Sequence, residues 1–204
     1  SDTLPMINDQ TPTFMGVPLA RTADTLRGAD VAIIVDGNPQ FGAGEMIGEF
    51  PVYIPSVSVT SIGEGGGSIA WVDVQGVLKV GPESAGSTPG PACYDRGGDR
   101  ATITDALVVL GFLGNAALGS SVVDIQIDRA KESISPLAET LSMTIEATAE
   151  SIIRIAVSGM YLEISKLVSR QGIDPRDLSV IAFGGAGPML ACWLAEELSM
   201  KDVI

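Results

Sequence analysis

Histidine is absent from all 204 residues of the chain. Because histidine is the usual base of Ser-His-Asp and Cys-His sites and the commonest metal ligand, its absence excludes those kinds of catalysis and every His-rich metal site. Cysteine is scarce as well, with only Cys93 and Cys192, far apart in the sequence. The first thirty residues contain no apolar core of a secretory signal, so we expect a cytoplasmic protein with reduced cysteines.

Basic residues are also few. Twelve lysines and arginines stand against 25 aspartates and glutamates, which gives a formal net charge of −13. The twelve are scattered and form no patch, so we expect no binding of nucleic acid. An anionic ligand would instead have to be held by backbone N–H groups, a helix N-terminus or a bridging cation.

Long uninterrupted apolar runs are missing too. Residues 106–123 carry no charge and approach the length of a membrane span, but they contain three glycines, an asparagine and two serines. We interpret this segment as a short buried helix followed by a loop, and we expect no association with a membrane.

The order of strand and helix signals predicts the fold class. Residues 1–28 show no sustained period and carry three prolines, so we predict an extended or poorly ordered leader. After it come a strand-rich half, a set of helices, and a closing series of strand, glycine turn, helix and strand. This order predicts an α/β domain over residues 29–204.

The helices have readable start and stop signals. The longest is predicted from Thr144 to Arg170, where apolar residues recur at steps of three and four before Gly172. Shorter helices are predicted to be capped by Thr104-Asp105 and by Asp128.

Two glycine segments are candidates for ligand binding. The first, GEGGGS, contains Gly65, Gly66, Gly67 and Ser68 and lies between two strand patterns, which favours a structured loop over a linker. The second, GGAGP, follows the apolar strand at 178–183 and opens directly into a helix. Glycines let a ligand lie against the backbone, and the helix N-terminus favours a negative or polar group. A tight turn without a ligand is the alternative, since short glycine motifs are weak alone.

Other candidates for chemistry are less specific. Acidic residues near the loops could hold Mg²⁺ together with phosphate oxygens, although most are expected to be turn, cap or solvated residues. They are Glu64, Asp73, Glu83, Asp95, Asp99 and Asp105. Cys93 is a candidate nucleophile, with only a helix dipole to lower its pKa.

Longer motifs carry a resemblance to a known family. The stretch IGEGGGSIAWVDVQGVLKVGPESAGSTPGPACYDRGGDRATITDALVVLG, followed by IAFGGAGPMLACWLAEEL, resembles the hydantoinase A/5-oxoprolinase family, which also includes subunits of acetone-type carboxylases. The resemblance covers about residues 29–204. It implies an actin-like, ribonuclease-H-like ATPase lobe with a mixed sheet and flanking helices. It also implies ATP-dependent opening of a cyclic amide such as hydantoin or 5-oxoproline.

The resemblance also implies site residues, cofactors and a partner. Gly184, Gly185, Gly187 and Pro188 would lie at the adenosine end of ATP, and Gly65–Ser68 would line the cleft. Asp30 matches the last aspartate of the family's DxGGTxxDV phosphate loop and is the candidate ligand for Mg²⁺. A hydantoinase B-type companion subunit is the implied partner.

This sequence departs from the family pattern at two places. The stretch DTLRGADV lacks the paired glycines and the threonine of the phosphate loop, and Leu190 stands where the family tends to have histidine. A full-length member also has a further lobe, so this chain resembles part of one and is expected to show little or no turnover alone. Three interpretations stay open: part of a cyclic-amide hydrolase, an acetone-type carboxylase subunit, or a non-catalytic assembly lobe.

Overall fold

A computed structural model describes residues 13–15, 28–42, 45–47, 50–52, 56–114 and 124–204. Within them the chain forms twelve strands and four α-helices. The strands are β1 (Thr13–Met15), β2 (Ala29–Val35), β3 (Asn38–Pro39), β4 (Phe41–Gly42), β5 (Glu45–Ile47), β6 (Phe50–Val52), β7 (Ser56–Val57), β8 (Val59–Ile62), β9 (Ser68–Val72), β10 (Leu78–Ser84), β11 (Ser179–Ile181) and β12 (Asp202–Val203). The helices are α1 (Ile103–Val109), α2 (Ile127–Leu141), α3 (Ile145–Arg170) and α4 (Gly187–Glu197). Apart from β1, the leader predicted over residues 1–28 lies almost wholly outside the described residues.

The largest sheet is mixed and has the order β12-β11-β1-β2-β3, with β8 also paired to β2. β1 runs parallel to β11 and antiparallel to β2, so that Phe14 pairs with Val180 on one side and Ile33 on the other. β-Branched residues dominate β2, and its middle residues Val31 to Ile33 are buried. The strand predicted at 178–183 is confirmed by β11, and the closing strand by β12.

A hairpin of β9 and β10 forms a second, two-stranded sheet. The carboxylate of Asp73 closes its turn by accepting the backbone N–H groups of Gln75 and Val77, both at 2.9 Å. The turn runs from Asp73 to Val77, because the Asp73 carboxylate binds both sides of it.

The long helix α3 matches its prediction. Thr144 caps it by accepting the N–H of Ala147 at 3.1 Å, and Gly172 follows the last turn with a φ of +68°. Its buried side chains recur at steps of three and four: Ala149, Ile152, Ile153, Ala156, Met160, Ile164 and Val168. α3 packs against the other three helices and against β8 and β10, so this stripe forms the centre of the core.

The starts of the two shorter helices were predicted slightly wrongly. α1 is capped by Thr102, and Asp105 completes a capping box as the third helical residue. α2 is preceded by Gln126, which places Asp128 in its first turn. α1 ends at Val109, so the short buried helix expected within 106–123 is present, while residues 115–123 lie outside the described part. Across the described residues, none of the helices has the length and apolar character needed to cross a bilayer.

Candidate functional site

The two glycine segments face the same cleft, which has a volume of about 980 Å³. Its lining includes the start of β2, the loop before β9 and the turn that opens α4. Of the residues selected from the sequence, the cleft brings together Asp30, Gly65, Gly66, Gly67, Gly184, Gly185, Gly187 and Pro188. Of the residues in the two glycine segments that were expected at the site, Ser68 does not line it.

Ser68 is instead buried beneath the first glycine loop and stabilises it by hydrogen bonds. Its side chain is fully buried, accepts the N–H of Gly65 at 2.9 Å and donates to the carbonyl of Gly63 at 3.2 Å. Its own N–H donates to the carbonyl of Gly65 at 2.8 Å. These contacts confirm a structured loop rather than a linker, and they correct the expectation that Ser68 lines the cleft.

The first glycine loop is also tied to neighbouring elements. The carbonyl of Gly66 accepts both the N–H of Thr104, at 2.9 Å, and its hydroxyl, at 2.8 Å. The carbonyl of Gly67 accepts the N–H of Ala85 at 2.9 Å. The N–H groups of Gly66 and Gly67 donate to no atom of the described residues.

The two glycine loops approach each other at Gly66. A Cβ on Gly66 would lie 2.8 Å from the Thr104 hydroxyl and 3.1 Å from the Cβ of Ala186 in the GGAGP turn. Any larger residue would therefore push the loops apart or displace Thr104. Glycine at this position is required by close approach, as the sequence pattern indicated.

The second glycine loop leads into α4. Gly184 has a φ of +95°, in the left-handed region that favours glycine, and Pro188 lies in the first turn. No side chain caps this helix start. Pro188 has no N–H and Met189 donates its own to the carbonyl of Ala186 at 3.2 Å, whereas the N–H of Gly187 donates to no atom of the described residues and is open to an anionic or polar group. Leu190, at the position where the family tends to have histidine, is 1% exposed and packs in the core.

Asp30 is the acidic residue that lines the cleft. It faces Ser61 across the β2–β8 pair and accepts the Ser61 hydroxyl at 2.6 Å. Among the described residues no three His, Cys, Asp or Glu side chains are grouped to hold a metal ion. Asp30 could therefore supply one oxygen ligand, and a bound anion and water would have to supply the others.

The six other acidic residues named from the sequence lie outside the cleft lining. Glu83 pairs with Arg100 at 2.7 Å, and Asp95 with Arg129 at 3.2 Å. Asp73 closes the hairpin turn, as described above. The Glu64 carboxylate rests against Gly159 of α3, and its pKa is raised mainly by burial, with the nearby Glu163 adding to the effect.

Asp105 is fully buried beneath the turn that contains Cys93. Its carboxylate accepts the N–H groups of Ala92, Cys93 and Thr102 at 3.2, 2.8 and 2.9 Å, and the Thr102 hydroxyl at 2.7 Å. These four bonds occupy the carboxylate, so its role is to hold the turn against α1. Asp105 is not a metal candidate.

Cys93 is not a nucleophile, contrary to one sequence-based hypothesis. Its side chain is 0% exposed. Burial raises the pKa of its thiol far above the usual range, and the negative charge of Asp105 raises it further. A reactive cysteine needs an exposed thiolate, which this environment opposes.

An apolar wall completes the cleft and was missed by sequence reasoning. It is formed by Phe112, Leu113, Met160, Ile164, Leu194 and Met200. Phe112 is 53% exposed and meets Trp193 of α4 edge to face, with ring centroids 4.8 Å apart. These side chains come from different helices and loops, so no local pattern connects them. The exposed phenylalanine after Gly111 was the available signal.

Tyr94 also faces the cleft, beside Thr104. Burial raises the pKa of its hydroxyl, and the neighbouring Cys93 and Asp105 act in the same direction. The single proton of the Thr104 hydroxyl is donated to the carbonyl of Gly66 in the first glycine loop.

The mixed sheet, the flanking helices and the glycine-lined cleft define an actin-like ATPase lobe of the α/β class. The crystal structure of the ATP-dependent caprolactamase from Pseudomonas jessenii has the same fold, with a TM-score of 0.81 and 33% sequence identity. That similarity covers 94% of this chain and 27% of the caprolactamase chain.

The chain belongs to the hydantoinase/oxoprolinase family, whose sequence pattern matches residues 28–204. It is 37% identical to the caprolactamase alpha subunit of Pseudomonas jessenii over 86% of this chain and 25% of that protein. It is 40% identical to the acetophenone carboxylase gamma subunit of Aromatoleum aromaticum over 78% of this chain and 22% of that protein. The chain thus spans about a quarter of the length of these relatives, and the resemblance found in the sequence is confirmed.

Proposed function

We propose that this chain is the nucleotide-binding lobe of an ATP-dependent enzyme that opens a cyclic amide. One observation carries the proposal: two glycine loops from distant parts of the chain face a single cleft, where the N–H groups of Gly66 and Gly67 have no partner among the described residues. Membership of the hydantoinase/oxoprolinase family supports ATP as the ligand, because the solved relative is named as an ATP-dependent caprolactamase. Caprolactam is itself a cyclic amide.

The residues of the cleft fit a nucleotide. Gly65, Gly66 and Gly67 leave room for phosphates against the backbone, and free N–H groups are the donors that phosphate oxygens need. The chain has a net charge of −13 and its few basic residues are scattered, so backbone N–H groups would have to hold the anion. The GGAGP turn would hold the adenosine end, with the apolar wall around Phe112 available to the base.

Asp30 would contribute to holding Mg²⁺. A Mg²⁺ ion in a nucleotide site takes one or two carboxylates and completes its shell with phosphate oxygens and water. Asp30 is the carboxylate on the cleft wall, and its bond to Ser61 fixes the side chain in one orientation.

The γ-phosphoryl group of ATP would be transferred to the amide carbonyl oxygen, with ADP as the leaving group, and this would make the carbonyl carbon a better electrophile. Attack by water, release of phosphate and cleavage of the C–N bond would then open the ring to an amino acid. This lobe would bind and orient the nucleotide and stabilise negative charge through backbone N–H groups. Leu190 cannot transfer a proton, and DTLRGADV lacks the family's phosphate-loop glycines. We therefore propose that the rest of the protein supplies the remaining catalytic groups, and that this chain alone turns over little or no substrate.

A carboxylase is the second candidate function. The observation that favours it is the 40% identity to a subunit of acetophenone carboxylase. In that case the phosphorylated species would be an enolate or bicarbonate rather than an amide. A non-catalytic lobe that docks a companion subunit is the third, favoured by the loss of the phosphate-loop glycines. A cytoplasmic location and a hydantoinase B-type partner belong to the proposal as well.

A thermal-shift titration of this chain with Mg·ATP and Mg·ADP tests the proposal. We expect a saturable rise in Tm, because ligand that binds only the folded state stabilises it. Gly185→Val is the matched variant, and its Tm should not rise with nucleotide. A Cβ on Gly185 meets nothing within 4 Å, so the fold tolerates the change. The added side chain would occupy part of the cleft. A flat response of the wild-type chain at millimolar nucleotide would overturn the proposal for this lobe.

Substrate class needs a second experiment, on the full-length assembly. ATP hydrolysis stimulated by hydantoin, 5-oxoproline or caprolactam supports the cyclic-amide function. Stimulation by acetone with bicarbonate instead supports the carboxylase function. ATP hydrolysis unaffected by either set contradicts both enzyme functions.

A further inference from the structure

We propose that Thr104 is a positioning residue that presets the N–H groups of Gly66 and Gly67 for a phosphate group. This inference rests on the proposed function, since it concerns the same cleft. It assigns a role to a side chain that no sequence pattern singled out as part of the binding site.

Thr104 binds the glycine loop twice. Its backbone N–H and its hydroxyl both donate to the carbonyl of Gly66, at 2.9 and 2.8 Å. The two residues are 38 positions apart in the sequence, and Thr104 is 5% exposed in the first turn of α1. Double donation to one carbonyl fixes its direction more tightly than a single bond would.

Fixing that carbonyl also fixes an N–H group. In a trans peptide the C=O and the N–H of the next residue point in opposite directions. Thr104 therefore turns the N–H of Gly67 away from α1. In the same way, the bond from the Ser68 N–H to the Gly65 carbonyl, at 2.8 Å, sets the direction of the Gly66 N–H.

The result is a pair of neighbouring donors with set directions. Neither N–H has an acceptor among the described residues, and both glycines line the cleft. Two adjacent free N–H groups in a glycine loop form a concave donor site for an anion. Because their directions are already set, a phosphate group binds without first ordering the loop.

The adenosine end of the cleft, at the GGAGP turn, does not depend on Thr104 in this way. Gly184, Gly185 and the wall around Phe112 are held by α4 and by the loop after α1. Loss of the Thr104 hydroxyl should therefore weaken binding of phosphates and leave binding of adenosine unchanged. A general loss of folding would weaken both.

The test uses the full chain and three probes: Mg·ATP, tripolyphosphate and adenosine, each titrated by calorimetry. Thr104→Val keeps the shape and the backbone N–H but removes the hydroxyl, and Thr104→Ser retains it. We expect Thr104→Val to bind Mg·ATP and tripolyphosphate about fivefold to tenfold more weakly, which corresponds to one lost hydrogen bond. Adenosine affinity should not change, and Thr104→Ser should bind as wild type does.

Three results would overturn the inference. Equal tripolyphosphate affinity in Thr104→Val and wild type removes the role of the hydroxyl. An equal loss of adenosine affinity shows a merely structural role. Failure of the wild-type chain to bind Mg·ATP at all refutes the proposed function, and this inference with it.

A measurement on the wild-type chain covers the case in which Thr104→Val does not fold. Tripolyphosphate should shift the amide NMR signals of Gly66 and Gly67 more than those of Gly76, which is in the distant hairpin turn. Unshifted Gly66 and Gly67 signals at saturating tripolyphosphate contradict the inference.

Discussion

The carboxylate of Asp105 accepts the backbone N–H of Cys93 at 2.8 Å, across twelve positions of sequence. Three further donors fill the same carboxylate, so a single buried side chain joins the first turn of α1 to the turn at 91–95. Thr104, next to Asp105, binds the glycine loop, so two consecutive residues hold two walls of the cleft.

Asp105→Asn should destabilise the fold by about 3 kcal/mol, because hydrogen bonds to a charged acceptor are strong and the new NH₂ group would face other donors. Urea unfolding measures the change. Asp99→Asn, at an exposed position nearby, should stay within about 0.5 kcal/mol of wild type. Equal stability of the Asp105 variant and wild type would show that the four bonds contribute little.

The two cysteines should differ sharply toward a thiol reagent. Cys192 is exposed, whereas Cys93 is buried and its thiol pKa is raised by burial and by Asp105. In the native protein about one thiol per chain should therefore react, and in native Cys192→Ser almost none. Denaturant should make Cys93 react in both. Rapid labelling of Cys93 in native Cys192→Ser would contradict the described burial.

Glu64→Gln should stabilise the chain at about pH 7, because folding partly buries the Glu64 carboxyl and raises its pKa. The folded-state pKa of Glu64 lies above its ordinary value of 4.5, so the native state binds the proton more tightly. The charged carboxylate of Glu64 therefore destabilises the fold above the folded-state pKa, and this destabilisation disappears below 4.5. Urea unfolding should be measured at about pH 7 and below pH 4.5. Glu64→Gln should raise the free energy of unfolding at the higher pH and leave it unchanged at the lower pH. A gain that grows in acid would reverse the assigned sign.

Asp174 should titrate at a pKa of about 2, because the side chain of Arg176, and then its backbone N–H, bind the carboxylate. The guanidinium contacts it at 2.6 to 3.1 Å. An NMR pH titration should find a higher pKa in Arg176→Gln, moving toward the ordinary value of 3.8. The stabilisation from this pair exists above the ordinary pKa and is lost as pH falls toward the folded value. An unchanged midpoint in the variant would show that the side chain is not the cause.

Phe112→Ala should weaken adenosine binding while leaving tripolyphosphate binding unchanged, since Phe112 belongs to the apolar wall. A lost aromatic contact with a base reduces affinity by about fivefold or more. Phe41→Ala removes another exposed phenylalanine, one outside the cleft lining, and should change neither affinity. Equal adenosine affinity in Phe112→Ala would place the base elsewhere.

Features set by neighbouring residues were predictable from the sequence. The bounds of α3 follow from the cap at Thr144, the spacing of its apolar residues and Gly172, all of which are local signals. The two glycine loops were found because each glycine run adjoins a strand pattern, and their longer motifs gave the family and hence the fold.

Features set by distant contacts were not predictable in the same way. Ser68 was expected at the cleft because it belongs to the glycine motif, but its bonds to Gly63 and Gly65 turn it inward. The start of α1 was misplaced by two residues because Thr102 and Thr104 are both suitable caps, and the carboxylate of Asp105 selects Thr102. The apolar wall depends on packing between helices, which no spacing rule encodes.

The place of β1 in the sheet affects the order in which the fold can form. β1 lies between β2 and β11, yet Thr13 pairs with Ser179, which is 166 positions later. During synthesis β2 is available soon after β1, whereas β11 follows only after three helices have been made. One edge of β1 therefore stays unpaired while the segment from β2 to α3 is synthesised, and contacts of such sequence separation form late and slowly. The growing chain should depend most on a chaperone until β11 joins the sheet.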